Sequence, residues 1–381
     1  METPLKRTWA EIDLDNLAHN FGVIRRQVGP DAKLLGVVKA DAYGHGAVRV
    51  AKKLKQLGAA YLAISNIDEC AELRDGGVTL PVLMLGYTPA DQGERIVRLG
   101  MTQAVPNLEI ARAYDDAAAR AGKPMKAHIK LDTGMGRLGF QCDDAHFDAS
   151  LRDILAVLKL PHLDVEGVFP HFAVSDEDAP EHVEFTKLQH ERFLRMMGAV
   201  EQTGFRFRLK HCCNSGDIAS YPEWAADMVR CGIILYGTGD LAERMGMKPV
   251  MRLKTTVATV KDFDPETSVS YGRTYFTDRP ERIAVLSIGY ADGLHRALSN
   301  KLTVLTPYGE AKQVGRICMD MCMIDATNLP DLKPGDEAEV FGERMLCETA
   351  AKQCGTISYE LLCAVSRRVP RVYFENGAPI H

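Results

Sequence analysis

Eight short β-rich runs, each followed by a helical pattern, occupy roughly the first 240 residues, and that alternation leaves the chain very few folds. The runs are LLGVVK, YLAIS, VLMLG, TQAV, AHIKL, VEGVF, RLKH and DMVRCG. Between them, Leu14, Leu17, Phe21, Ile24 and Val28 return to one helical face, as do Val183, Leu188, Phe193, Met197 and Val200. Runs this apolar suit strands buried on both faces, the habit of parallel sheets. The pattern predicts an α/β chain whose N-terminal part is a (β/α)8 barrel of the TIM type, with its chemistry at the C-terminal strand ends. From about Lys248 the texture changes to LKTTVATV, RIAVLSIG, KLTVLT, CMIDAT and EAEVFG, broken by Gly, Pro, Asp and Asn turns. We therefore expect a barrel over residues 1–245, its first ~10 residues packing with the β domain, and a mainly-β domain over 246–381.

Composition narrows the function. A formal net charge of −5 with no basic run argues against a nucleic-acid partner. No apolar stretch approaches the ~18 residues of a membrane span and no secretory leader pattern opens the chain, so a cytoplasmic enzyme is expected. The ten cysteines form no CxxC pair and no zinc-type spacing, and several sit inside apolar runs. Cys318 and Cys322 read as one strand segment, so no metal is expected.

In VVKADAYGHG, Lys39 ends a buried run, and Tyr43, Gly44, His45 and Gly46 open a helical segment beside it. Burial lowers the pKa of an ammonium, which prepares an amine for Schiff-base chemistry with a carbonyl cofactor such as pyridoxal phosphate. A strand-end lysine that snorkels to solvent is the plainer alternative. The helix start offers N–H groups to a phosphate. KLDTGMGRLG puts Lys130 and Arg137 close together, and two such cations need an anion: a substrate carboxylate or a modified lysine. PHFAVSDE ends the sixth run with His171, HCCNSG the seventh with His211, Asn214 and Ser215, and VRCGIILYG the eighth with Arg230. Each histidine alone reads equally as a satisfied core residue. VSYGRTY adds Tyr271 at a turn after a strand of the β-rich part.

In order, these motifs resemble those of the alanine racemase family, from WAEIDLDNL near the N-terminus to RRVPRVYF near the C-terminus. The resemblance implies that Lys39 carries pyridoxal phosphate as a Schiff base and that Tyr43 contacts its phosphate. Ser215, with Asn214, Gly232, Ile233 and Tyr236, would complete the cofactor cradle. His171 would sit beside the pyridine ring and Arg230 would face its nitrogen. A permanent cation there disfavours protonating the ring, making a weaker electron sink. Arg137 and Met319 would hold the substrate carboxylate, with Lys130 carbamylated beside the arginine. Asp176, Tyr290, Arg296 and Asp320 would line the entrance.

Tyr271 would be the second catalytic base, linked through His171 to Arg230, because a phenol near pKa ~10 needs such help at neutral pH. The resemblance further implies a head-to-tail homodimer in which the β domain's Tyr271 and Met319 act in the partner's barrel, and a role in D-alanine supply for peptidoglycan. One departure stands out: in VSRRVPR, Arg367 occupies a position often held by tyrosine in this family. Serine or a broader amino-acid range therefore competes with alanine as substrate. A decarboxylase of the same fold group would pair the pyridine with an acid, which Arg230 opposes. A noncatalytic cofactor carrier would lack the β domain.

Overall fold

Eight parallel strands curl into a nearly closed barrel in the computed structural model, which describes residues 7–380. They are β1 (Lys33–Val37), β2 (Tyr61–Ile64), β3 (Val82–Met84), β4 (Met101–Val105), β5 (Met125–Asp132), β6 (Leu163–Phe169), β7 (Leu209–Lys210) and β8 (Met228–Cys231). The ladder runs β8-β1-β2-β3-β4-β5-β6-β7. Every residue of β2, β3, β4 and β8 is buried, which is why these runs carry no polar alternation. No ladder joins β7 to β8. Hydrogen bonds bridge that gap, among them Arg230 N–H to Cys213 O at 3.0 Å and Lys210 N–H to the Asp227 carboxylate at 2.7 Å.

Helices pack on this sheet through one face each. In Ala47–Gln56 the buried residues are Ala47, Val50, Ala51 and Leu54, at helical spacing. Gly36 in β1 makes room for that helix, since a Cβ there would come within 2.5 Å of Leu54 Cδ1. The segment between β1 and this helix departs from expectation. Ala40, Asp41, Ala42 and Tyr43 all have φ between 51° and 54°, forming one left-handed turn in which Ala42 N–H reaches Val38 O at 2.9 Å. The right-handed helix expected beside Lys39 begins only at Ala47. Left-handed turns cost L-residues roughly 1–2 kcal/mol each. Side chains hold this one: the Glu69 carboxylate accepts from Ala40 N–H at 2.6 Å, and that of Asp41 from Ala47 N–H at 2.7 Å.

These strands and helices make up one compact unit, residues 21–42 and 47–235. The other comprises residues 7–20, 43–46 and 236–380. Its spine is β9 (Met251–Phe263), which pairs antiparallel with the N-terminal strand Thr8–Asp13, with Glu337–Phe341 and with Glu281–Leu286. The N-terminal strand also pairs in parallel with Arg371–Glu375, so both ends of the described chain are built into this β domain. A two-stranded hairpin, β10 (Ser268–Val269) and β11 (Tyr275–Phe276), stands on its own. Among the described residues no helix is long and apolar enough to cross a membrane, and no His/Cys/Asp/Glu group is arranged to hold a metal.

Candidate active site

The C-terminal ends of the barrel strands collect cations. Lys39 lies two residues beyond β1 and is half-buried rather than enclosed. The buried lysine of this rim is Lys130, inside β5 and 5% exposed. Its Nζ sits 4.1 Å from the centroid of the Phe169 ring, and no carboxylate among the described residues reaches it at ion-pair distance. Burial, then Arg230 and Arg137, hold its pKa well below the usual lysine value, which favours the uncharged amine. Arg137 is exposed on the loop after β5, where the Asp132 carboxylate accepts from the N–H groups of Gly134, Gly136 and Arg137.

Arg230, in β8, is 3% exposed and has no carboxylate partner among the described residues. Its Nη1 donates to His211 O at 2.7 Å and its Nη2 to His171 Nδ1 at 3.2 Å. His171 follows β6 by two residues. Burial lowers its pKa well below the ordinary histidine value, and Arg230, Lys130, Arg137 and Lys39 add to the effect. A neutral imidazole that accepts at Nδ1 carries its proton on Nε2.

After β7, Asn214 caps the short helix Ser215–Ser220, its side chain accepting from Gly216 N–H at 2.7 Å. Asn214 N–H in turn donates to the buried Asp217 carboxylate at 2.9 Å. Ser215 Oγ accepts from Gly232 N–H at 3.2 Å, which ties this helix to the single turn Ile233–Tyr236 after β8. Asp176 is exposed on the loop after His171.

The remaining expected site residues belong to the β-domain unit. Tyr43 and Tyr236 are buried with ring centroids 4.9 Å apart, and burial, followed by Tyr359 and Cys363, pushes the Tyr43 phenol up. Tyr271 is 71% exposed on the β10–β11 turn, whose geometry needs positive φ at Ser270 and Gly272. Ser270 Oγ donates to Arg316 O at 2.6 Å, which fastens this turn to the loop carrying Met319. Tyr290 joins the same loop through its N–H to Cys318 O at 3.0 Å. Tyr290, Arg296 and Met319 are exposed, and Asp320 pairs with Arg368 at 2.8 Å. Arg367 is also exposed.

Sequence reasoning missed one polar group inside the barrel: His128, Glu166 and Tyr61, all buried. The available signal was a histidine and a glutamate inside otherwise apolar runs, AHIKL and VEGVF.

A parallel barrel whose strand C-termini gather two arginines and two lysines around a neutral imidazole is the working end of a barrel enzyme. Residues 12–240 match the family model for the alanine racemase N-terminal domain, and residues 250–373 that for its C-terminal domain. The chain is 43% identical over 380 residues to alanine racemase 2 of Caldanaerobacter subterraneus subsp. tengcongensis, covering 98% of this chain and 96% of that protein. The solved alanine racemase of Clostridium difficile 630 superposes with a TM-score of 0.94 at 41% identity, over 100% of this chain and 98% of that one. A Bacillus anthracis alanine racemase with bound L-Ala-P gives 0.89 at 31% identity, over 100% and 98%. The protein belongs to the alanine racemase family, a family of isomerases.

Proposed function

We propose that the protein is a pyridoxal phosphate-dependent racemase interconverting L- and D-alanine, with a barrel domain within residues 1–245, whose N-terminal strand packs with the β domain, and a β domain over residues 246–381. The observation that carries this reading is the neutral His171 among Lys39, Lys130, Arg137 and Arg230. Such a site has the charge for a phosphate and a carboxylate together. The residues fit the cofactor: Arg230 is a buried cation without a carboxylate, suited to a ring nitrogen's lone pair. Ser215, Gly232 and Ile233 offer hydroxyl and backbone groups at two helix starts.

When bound, the cofactor supplies an electron-withdrawing ring that acidifies the substrate's Cα–H. Lys39 would hold the cofactor and would move the proton on its own face. Tyr271 moves it on the opposite face. Arg137 and the Met319 N–H orient the substrate carboxylate. The uncharged form of the Lys130 amine, which its lowered pKa favours, is the one that would add carbon dioxide: a C–N bond forms, a proton leaves to solvent, and the resulting carbamate anion would face Arg137. Tyr271 and Met319 are 71% and 54% exposed on the β domain, which supports their acting in the barrel of a second copy in a head-to-tail homodimer. D-Alanine supply for peptidoglycan in the cytoplasm is the role proposed for the product.

The test is a chiral assay of the protein reconstituted with pyridoxal phosphate, using a panel of amino acids. L-Alanine should yield D-alanine until the two are near equal. A faster reaction with serine would favour the alternative raised by Arg367, whereas carbon dioxide release without inversion would overturn the racemase reading. Borohydride reduction followed by peptide mapping should place the cofactor mass on Lys39.

A further inference from the structure

A line of polar side chains crosses the barrel interior, where the strands are otherwise apolar. Beginning at Arg230, Nη1 lies 3.4 Å from His211 Nδ1. His211 Nε2 is 2.9 Å from His128 Nδ1, and His128 Nε2 is 3.6 Å from Glu166 Oε1. Glu166 also accepts from Tyr61 Oη at 2.6 Å and pairs with Lys126 at 3.2 Å. Both imidazoles are fully buried, and Phe169 stacks on His211 at 4.7 Å.

The two ends of this line leave one arrangement of protons. A guanidinium only donates, so His211 Nδ1 accepts and a neutral His211 carries its proton on Nε2. That proton goes to His128 Nδ1. His128 then carries its own proton on Nε2, facing a carboxylate that only accepts. The reverse arrangement would set an N–H against Arg230 and a lone pair against Glu166. Burial keeps both histidines below their ordinary pKa, hence neutral. Burial would raise the Glu166 carboxyl, but the facing His128 imidazole at 3.6 Å, the hydrogen bond from Tyr61 and the Lys126 ammonium outweigh it and hold the acid well below the usual range.

We propose that Glu166 is a positioning residue: from the N-terminal side of the barrel it fixes the tautomers of His128 and His211, and thereby the setting of Arg230 and its hold on His171. The catalytic consequence rests on the reading that Arg230 serves the racemase site. The tautomers do not depend on that reading.

The experiment is 15N spectroscopy of histidine-labelled, cofactor-free protein, with signals assigned through His128→Gln and His211→Gln. Both residues should appear neutral and protonated on Nε2; an Nδ1-protonated or cationic form of either overturns the proposal. That measurement needs no variant of Glu166 to fold. In folded Glu166→Gln the tautomers of His128 and His211 should become mixed, and kcat of the reconstituted enzyme should fall by about 10-fold or more with little change in KM, the scale of a lost outer support. Glu166→Asp, shorter but charged, should restore both readouts in part, whereas a packing role would make it the worse variant. Unchanged tautomers in Glu166→Gln would remove Glu166 from its role. Altered tautomers with full racemisation would instead overturn the part assigned to Arg230.

Discussion

Asp217 and Lys130 are ionisable groups placed where their charged forms are disfavoured. Burial raises the Asp217 carboxyl to about 8, and one of its oxygens has no hydrogen-bond partner. Because the folded value lies above the unfolded one, the folded state binds the extra proton. This contribution to stability is fully present below the unfolded pKa and is lost as pH rises through about 8. In urea unfolding of cofactor-free protein, stability should therefore decline across that window, with this group adding a slope of up to ~1.4 kcal/mol per pH unit. Asp217→Asn should flatten the slope, and equal slopes for both proteins would refute the assignment. Lys130 shifts the opposite way: burial lowers its pKa and favours the uncharged amine. In 13C-bicarbonate buffer a carbamate resonance should appear and vanish in Lys130→Ala; its absence from the parent protein would remove carbamylation. The sequence placed the buried amine at Lys39 because the apolar run ends there. The strand stops two residues earlier, at Val37, and only the fold reveals how deeply a neighbouring residue is enclosed.

At the scale of elements, the barrel strands were legible because burial on both faces writes itself as continuous apolar runs, as in YLAI and VLM. The left-handed turn after β1 was not. Ala40 to Tyr43 have ordinary helical propensities, and the first glycine comes only at Gly44, so nothing local announces positive φ. The turn exists because Glu69 and Asp41 satisfy its backbone and its downstream helix. In a right-handed helix, alanine to glycine costs about 1 kcal/mol. At Ala40, exposed with φ of 51°, the sign should reverse: relief of the left-handed penalty, ~1–2 kcal/mol, exceeds the entropy cost of glycine, ~0.5–1 kcal/mol. Ala40→Gly should thus stabilise the protein by about 0.5 kcal/mol, read as a higher urea midpoint at unchanged slope. A lower midpoint would mean that the turn is not strained.

For the whole molecule, the order of motifs along the chain disclosed the barrel and the β domain, and it supplied the proposed site residues, because each motif sits at a strand end or a turn with its own local pattern. The line from Arg230 to Glu166 stayed hidden, since residues 61, 128, 166, 211 and 230 share no motif and meet only when the barrel closes. The homodimer proposed above predicts that Tyr271 of one chain serves Lys39 of another. Mixing variants tests it. Lys39→Ala and Tyr271→Phe should each lose racemisation by roughly 10²- to 10⁴-fold, as expected on removing a proton-transfer group. If each site joins Lys39 of one chain to Tyr271 of another, a mixed dimer holds one site with both groups intact and one with neither. After unfolding and refolding an equimolar mixture, half the dimers should be mixed and half of their sites intact. Activity should return to about a quarter of the parent level. If both groups came from one chain, every site in the mixed dimer would lack one of them and no activity would return. Recovery that rises with protein concentration before refolding completes would tie the effect to association, and a mixture no more active than its components would overturn the shared site.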